Sequence, residues 1–340
     1  MSQPDSVASR ENRGCDTSRT AREKPRLIDR LTLREDQTIR TVSLIALVFA
    51  TVLATQGAIV RATGSGLGCP DWPLCHGSLT PPPGNIKAII EYTHRILATI
   101  GGLMILSTAI LTWANNKTSA SLRTASIALI LLLVVQVLLG AAAVLQELPA
   151  WIVTAHLVSA TTLIGLLTFV SIRITRSNSA RPASFQPMFW FPIAAATATA
   201  LVIAAGGYTS SSYAGVACPE WPLCGNQIIP VGDQGHGPAI HMIHRVLAAV
   251  ASLLVLLTAW RLRKVRNRFP EAARLGIVAS HLVIVEFWVG AANAMSLTNE
   301  IVTAIHSFVA QWVWIVTLAI VVTVLAPDRT RTQFRTSPEP

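Results

Sequence analysis

The sequence GCPDWPLC at residues 68–75 returns as ACPEWPLC at residues 217–224, an offset of 149 residues. Each copy places two cysteines around a proline, an acidic residue and a Trp-Pro pair. The chain therefore contains two copies of one unit. Histidines follow the same repeat at an offset of 150 residues, with His94 matching His244 and His156 matching His306.

Each copy contains four long apolar stretches, which place the chain in a membrane. Of the 340 residues, 51% are hydrophobic and 13% are charged, a composition that excludes large soluble enzymes and extracellular domains. A stretch of about 20 apolar residues crosses the ~30 Å hydrocarbon layer as a helix. We predict eight transmembrane helices, at residues 41–60, 88–113, 124–145, 151–172, 189–209, 239–260, 275–295 and 301–325.

The distribution of Lys and Arg predicts how these helices are oriented. Eight spans place both termini on one side of the membrane, and 23 of the 27 basic residues then lie on that side. Cytoplasmic segments carry such an excess, so both termini are expected in the cytoplasm. The formal net charge of +10 thus reflects topology and does not indicate a nucleic-acid partner. Seven acidic residues among the first 40 argue against a mitochondrial transit peptide and favour the bacterial cytoplasmic membrane.

The repeat also predicts the architecture. Because each copy has an even number of spans, the two copies share one orientation across the membrane. The predicted fold class is an all-α integral membrane protein whose eight transmembrane helices form two pseudo-symmetric four-helix bundles. Along the chain we expect a disordered cytoplasmic tail (1–40), an N-terminal bundle (41–172), a cytoplasmic linker (173–188), a C-terminal bundle (189–325) and a cytoplasmic tail (326–340).

The four repeated histidines lie inside predicted spans, about five or six residues from the outer end. At a rise of 1.5 Å per residue, each lies ~8 Å below the outer boundary of the hydrocarbon. Intramembrane ionisable residues are costly and usually functional, and two level imidazoles in each bundle suit the axial positions of a haem iron. Two alternatives stay open: packing histidines, or a zinc site with Glu91 or His241 as a third ligand.

Two cysteine pairs, Cys69 with Cys75 and Cys218 with Cys224, lie in loops predicted outside the membrane. Disulfides persist in that oxidising compartment, so we expect one in each loop. The five-residue spacing within each pair is not that of a C-x-x-C dithiol motif. It leaves a structural and a redox-active role both open.

Three arginines lie near the outer ends of the spans: Arg61, Arg95 and Arg245. Arg95 and Arg245 directly follow histidines of the repeat. Because guanidinium groups match carboxylates in shape and charge, we expect these arginines to bind haem propionates. Snorkelling to the membrane interface is the alternative.

The repeat breaks at two positions that matter chemically. Glu91 lies three residues before His94, on the same helix face, and the residue that aligns with it is His241. A buried carboxylate at a haem edge can handle protons, so Glu91 is the candidate catalytic residue. The alternative is that it anchors a neighbouring arginine or a loop amide. Gln136 aligns with Glu286, for which we expect a mainly structural role.

These motifs together resemble the haem A synthase family. The resemblance covers roughly residues 41–325 and rests on TGSGLGCPDWPLC (63–75), EYTHR (91–95), the stretch 136–140, the second cysteine loop and the repeated histidines. It implies that the methyl group at C8 of haem O is oxidised to a formyl group by two successive hydroxylations and loss of water. The product, haem A, serves terminal oxidases. The resemblance places the substrate haem O in the N-terminal bundle and a resident haem b in the C-terminal bundle, with Glu91 as the catalytic carboxylate.

The same resemblance implies two partners: a haem O synthase that supplies the substrate, and quinol or another electron donor. The protein lies in the lipid bilayer, and a homo-oligomer stays open. Two rival functions stay open. One is an electron-transfer cytochrome b with two bis-His haems, against which the Glu91–His241 mismatch counts. The other is a membrane disulfide oxidoreductase that uses the two cysteine pairs, which leaves the four level histidines unexplained.

The cysteine assignment gives a direct test. An alkylating reagent applied to the unfolded but unreduced protein should modify Cys15 alone, because the other four cysteines are expected to be paired. Mass spectrometry of the digested protein checks this. Alkylated Cys69 or Cys218 in protein from oxidising conditions would contradict the predicted disulfides.

Overall fold

Eight long α-helices make up the protein. The computed structural model describes residues 27–115, 118–176, 189–225, 227 and 235–325, and within them the only β-structure is isolated bridges in the two cysteine loops. All eight helices are long and apolar enough to span a membrane, which confirms the predicted fold class. The helices are α1 (Leu27–Ala62), α2 (Ile86–Ala114), α3 (Ala120–Leu145), α4 (Ala150–Arg173), α5 (Trp190–Ser211), α6 (Gly237–Lys264), α7 (Pro270–Met295) and α8 (Glu300–Leu325).

The start of α1 differs from the prediction. Residues 1–40 were expected to form a disordered tail, but α1 already begins at Leu27. No glycine or proline interrupts residues 27–56, and charged helix-forming residues continue the helix where apolar periodicity gives no signal. Ile39 is buried, and Asn115 Nδ2 donates to Asp36 Oδ1 at 3.0 Å, so this extension packs on the rest of the fold. The remainder of that tail (1–26), most of the linker (177–188) and the C-terminal tail (326–340) lie outside the described residues.

The helices form two closed rings of four. In the first ring each of α1 to α4 packs against the next, and α4 packs back on α1; α5 to α8 repeat this arrangement. The rings meet where α1 and α4 contact α8 and where α4 contacts α5. The two four-helix bundles that the repeat predicts are therefore present.

Small residues on α4 allow the two bundles to approach closely. A Cβ built on Gly165 would lie 2.9 Å from Cζ2 of Trp314, so the indole of α8 lies against the bare backbone of α4. Trp314 Nε1 donates to the carbonyl of Thr161 at 2.9 Å, and Gln311 Nε2 donates to Thr161 Oγ1 at 3.3 Å. Without a hydrophobic driving force between membrane helices, such close packing and hydrogen bonding hold the bundles together.

Both cysteine loops lie at one end of the molecule, because each connects an odd-numbered helix to the next one. We call this the loop end. Arg61, at the end of α1, joins the bundles here by donating to the carbonyls of Ser210 and Ser211 at 2.8 and 3.2 Å. Its guanidinium also lies 3.9 Å from the ring centre of Tyr213. Arg61 thus fixes the two loop ends relative to each other.

Candidate functional site

The repeated histidines lie at a common depth from the loop end. Each is six to eight residues from the first residue of its helix, about 9–12 Å along the axis. His94 on α2 and His156 on α4 belong to the first bundle. His244 on α6 and His306 on α8 form the corresponding pair in the second bundle, with ring centres 6.4 Å apart.

The second pair has the spacing that two axial ligands of one metal need. A metal–imidazole bond is about 2 Å, and a ring nitrogen lies about 1 Å from the ring centre, so two ligands on opposite sides place their centres roughly 6 Å apart. The observed 6.4 Å fits this value. The rings of His244 and His306 are inclined at 82°, and these two residues would hold a haem in the second bundle.

Each of these histidines packs against a glycine of the preceding helix. A methyl group on that glycine would meet the imidazole at or inside van der Waals contact, so the ring occupies space that a side chain would fill. The distances from an added Cβ to Cε1 of the ring are 3.3 Å for Gly57 and His94, 3.1 Å for Gly140 and His156, 2.8 Å for Gly206 and His244, and 3.1 Å for Gly290 and His306. The glycines repeat as well, at an offset of 149 residues for Gly57 and Gly206 and of 150 for Gly140 and Gly290, but the sequence analysis assigned them no role.

Polar side chains hold the histidines of the first bundle. His94 Nδ1 hydrogen-bonds to Gln56 Oε1, while Gln56 Nε2 donates to the carbonyl of Ile90 at 3.2 Å. A hydrogen bond at Nδ1 leaves Nε2 of His94 available as a ligand. Gln136 Nε2 lies 3.2 Å from Nε2 of His156. Gln56 is a site residue that the sequence analysis missed.

The second bundle holds its histidines differently. His306 Nδ1 lies 3.0 Å from Glu286 Oε1, close enough for a hydrogen bond but not aligned for one. The residue that aligns with Gln56 is Ala205, which has no polar side chain, and His244 Nδ1 is buried without a hydrogen-bond partner. The two histidine pairs therefore share their scaffold and differ in their polar neighbours.

Glu91 is buried, and its carboxylate contacts the first cysteine loop. Oε2 accepts a hydrogen bond from the backbone N–H of Cys69 at 2.8 Å, and Oε1 accepts one from Arg95 Nη2 at 2.5 Å. Both oxygens thus make the anchoring contacts that the sequence analysis gave as the alternative role. His94 lies on the same face of α2, one turn further from the loop end.

The two arginines that follow the histidines hold the cysteine loops. The Arg95 guanidinium donates to the carbonyls of Cys69, Asp71 and Leu74 at 2.7–2.8 Å. In the second bundle Arg245 also donates to three loop carbonyls, at 2.6 Å to Cys218 and at 3.1 Å to both Pro222 and Leu223. With these donors directed at loop carbonyls, propionate binding by Arg95 and Arg245 stays a prediction, as it does for Arg61.

Disulfides close both loops. The sulfurs of Cys69 and Cys75, and those of Cys218 and Cys224, are bonded and buried. Asp71 closes the first loop by accepting hydrogen bonds from the backbone N–H groups of Gly77 at 2.7 Å and His76 at 2.6 Å. The Gly77 hydrogen bond in particular holds the pKa of this exposed carboxyl below its usual range.

His241 occupies the place of Glu91 in the second bundle. It is buried, and its Nδ1 has no hydrogen-bond partner, so the second loop lacks the carboxylate that anchors the first. Within the part of the chain that the structure describes, no three His, Cys, Asp or Glu side chains form a group that could hold a metal ion. The geometry therefore gives no support to a zinc site completed by Glu91 or His241.

Fold and site together define a class: a multi-pass helical membrane protein built from two repeated four-helix bundles, each with two histidines at one depth. The profile of the COX15-CtaA family, described as cytochrome oxidase assembly protein, matches residues 40–318. The chain belongs to this family.

Several relatives share most of its length. A protein named "Heme A synthase" from Alkalihalophilus pseudofirmus is 31% identical over 277 residues, covering 80% of this chain and 92% of the relative. Proteins of the same name from Geobacillus kaustophilus (31% identical, 74% of this chain and 80% of the relative) and Symbiobacterium thermophilum (30% identical, 81% and 92%) are also similar.

The contact between Gly206 and His244 can be tested by a single methyl group. Gly206→Ala places a Cβ 2.8 Å from the His244 ring, which must move, while alanine itself favours the helix. We expect at least about tenfold weaker retention of haem, measured as haem absorbance per protein after purification.

Gly102→Ala is the matched control, since its added Cβ meets nothing closer than Leu133 Cδ1 at 3.6 Å. Equal haem content in the two variants would show that the glycine contact does not place the ligand.

Proposed function

We propose that this protein is a haem A synthase, which oxidises the C8 methyl group of haem O to the formyl group of haem A. The observation that carries the proposal is a pair of histidines at one depth in each bundle, with the rings of His244 and His306 6.4 Å apart, in a chain that belongs to the cytochrome oxidase assembly protein family. Relatives named "Heme A synthase" that align with 80% or more of their own length support the same function. The haem product serves terminal oxidases.

The two bundles take different haems in this proposal. His94 and His156 hold the substrate haem O in the first bundle, and His244 and His306 hold a resident haem b in the second. A haem in the second bundle supplies one-electron redox chemistry. The chain places the imidazoles against the four glycines and holds Nδ1 of His94 through Gln56.

The proposed location is the bacterial cytoplasmic membrane, with the loop end outside. Basic residues support this orientation: among the described residues the loop end carries Arg61, Lys87, Arg95 and Arg245, and the other Lys and Arg lie at the opposite end. Both termini are then cytoplasmic. A haem O synthase as supplier of the substrate, and quinol or another electron donor, belong to the same proposal.

Glu91 is the proposed proton-handling residue of the substrate bundle. It lies on the face of α2 that carries His94, and the second bundle, which is proposed to modify no haem, has His241 in its place. A carboxylate can accept protons as the methyl group is oxidised. The contacts to Cys69 N and Arg95 keep this carboxylate buried and fixed in position.

Co-expression with a haem O synthase tests the function. The extracted haems, separated by chromatography, should include haem A only when both proteins are present. A His94→Ala variant should abolish haem A yet keep the haem of the second bundle. A protein that carries haem but forms no haem A under these conditions would favour the electron-transfer cytochrome, and one without haem would refute both readings.

Glu91→Gln separates catalysis from anchoring. The amide keeps the size and part of the hydrogen bonding but has no ionisable group, so haem A formation should fall by about 100-fold or more, with haem O or a hydroxylated product accumulating. Loss of the charge-assisted bond to Arg95 should also lower the free energy of unfolding by about 1–3 kcal/mol.

His241→Gln is the matched control at the aligned position and should leave haem A formation largely intact. Haem A is quantified per folded protein. A Glu91→Gln variant with reduced stability and full haem A yield would show that Glu91 anchors the loop and does not take part in the reaction.

A further inference from the structure

The polar residues next to the histidines differ between the bundles in a consistent way. The first bundle has an amide at both places, Gln56 beside His94 and Gln136 beside His156. In the second bundle the aligned residues are Ala205 and Glu286. The second pair thus has a carboxylate at one histidine and no polar side chain at the aligned place beside the other.

Glu286 is positioned for His306. It lies on α7 one turn before Gly290, the glycine against which the His306 ring packs, so both residues are on the helix face that contacts the ring. Its Oε1 is 3.0 Å from His306 Nδ1, and its Oε2 is buried without a hydrogen-bond partner. Within residues 27–115, 118–176, 189–225 and 235–325, His306 is the only ion-pair partner of Glu286.

The two residues that follow Glu286 on α7 are aromatic and pack elsewhere. Phe287 and Trp288 pack instead on Trp221 of the second cysteine loop, with ring centres 5.1 and 6.2 Å away. A carboxylic acid within a membrane span is costly and is usually retained for a function. The carboxylate of Glu286 is therefore placed next to one candidate ligand, His306.

A carboxylate next to a metal-bound histidine has a known physical effect. It accepts the N–H of the ring nitrogen that does not bind the metal, fixes the tautomer and orientation of the ring, and makes the imidazole a stronger donor to the metal. A stronger donor stabilises ferric over ferrous iron. A neutral glutamine does this less well, because charge-assisted hydrogen bonds are roughly twice as strong as neutral ones.

We propose that Glu286 is a positioning residue that holds His306 through Nδ1 and sets the haem of the second bundle to a lower redox potential than glutamine would. This rests on the proposed function, because it takes His244 and His306 as the axial ligands. The second haem is then a stronger one-electron donor than it would be with glutamine at position 286.

The test is a redox titration of purified, haem-containing Glu286→Gln protein, followed by absorbance. The substitution installs the residue found at the aligned position of the first bundle. We expect the preference for ferric iron to fall at least about tenfold, a rise of about 59 mV in midpoint potential for a one-electron couple. The electron paramagnetic resonance spectrum of the ferric haem should shift as well, because the field of the axial ligand changes.

Gln136→Glu is the reciprocal control: it introduces a carboxylate in the first bundle and should leave the potential of the second-bundle haem unchanged. If Glu286→Gln does not fold, Glu286→Asp is titrated in its place; it withdraws the carboxylate from His306 and should raise the potential in the same direction. A second-bundle haem with unchanged potential and spectrum in the folded variant would overturn the role of Glu286.

The readout also separates this inference from the proposed function. Purified wild-type protein without haem would refute the haem sites themselves, and with them the role of Glu286. A haem-containing variant with an unchanged potential would refute only the role of Glu286, whether or not haem A is formed.

Discussion

The close approach of a histidine ring to a bare helix backbone is the contact on which the arrangement depends. It occurs four times, between α1 and α2, α3 and α4, α5 and α6, and α7 and α8. In a membrane, helices associate through close packing, and small residues permit it. The same glycines therefore bring the helices of each pair together and leave room for an imidazole at a fixed depth. A side chain at Gly206 or Gly290 would clash with the ring and force it to move.

At the loop end, three arginines hold the cysteine loops and join the two bundles. Arg95 and Arg245 each donate to several carbonyls of a disulfide-closed loop, so that the loop is held to the helix that carries the arginine. Arg61 then ties the first bundle to the end of α5. These arginines have a structural task beyond the ligand binding that their positions near the outer ends of the spans suggested. Guanidinium groups serve both tasks because their planar set of donors fits several oxygens at once.

The two halves keep the same scaffold and change the polar groups around it. The glycines, the histidines, the disulfides and the arginines that hold the loops are repeated, whereas Gln56, Glu91 and Gln136 become Ala205, His241 and Glu286. These three differences surround the histidine pairs and the loop above them. Two sites of one shape with unequal electrostatics suit one haem that is modified and one that is retained, which is the division of labour proposed for the chain.

Hydropathy, charge distribution and an internal repeat were enough to predict the eight helices and the two bundles, and to single out the four histidines. Local composition determines which segments span the membrane, and the repeat offset shows which residues of the two halves correspond. The first helix was underestimated because the charged segment from Leu27 to Arg40 is helical without an apolar run. Contacts between helices required the tertiary structure. Gln56 reaches His94 across 38 residues of chain, and Glu91 meets Cys69 across 22. Such contacts depend on the rotation of each helix about its axis and on the path of a loop, and neither is encoded in the periodicity of a single span.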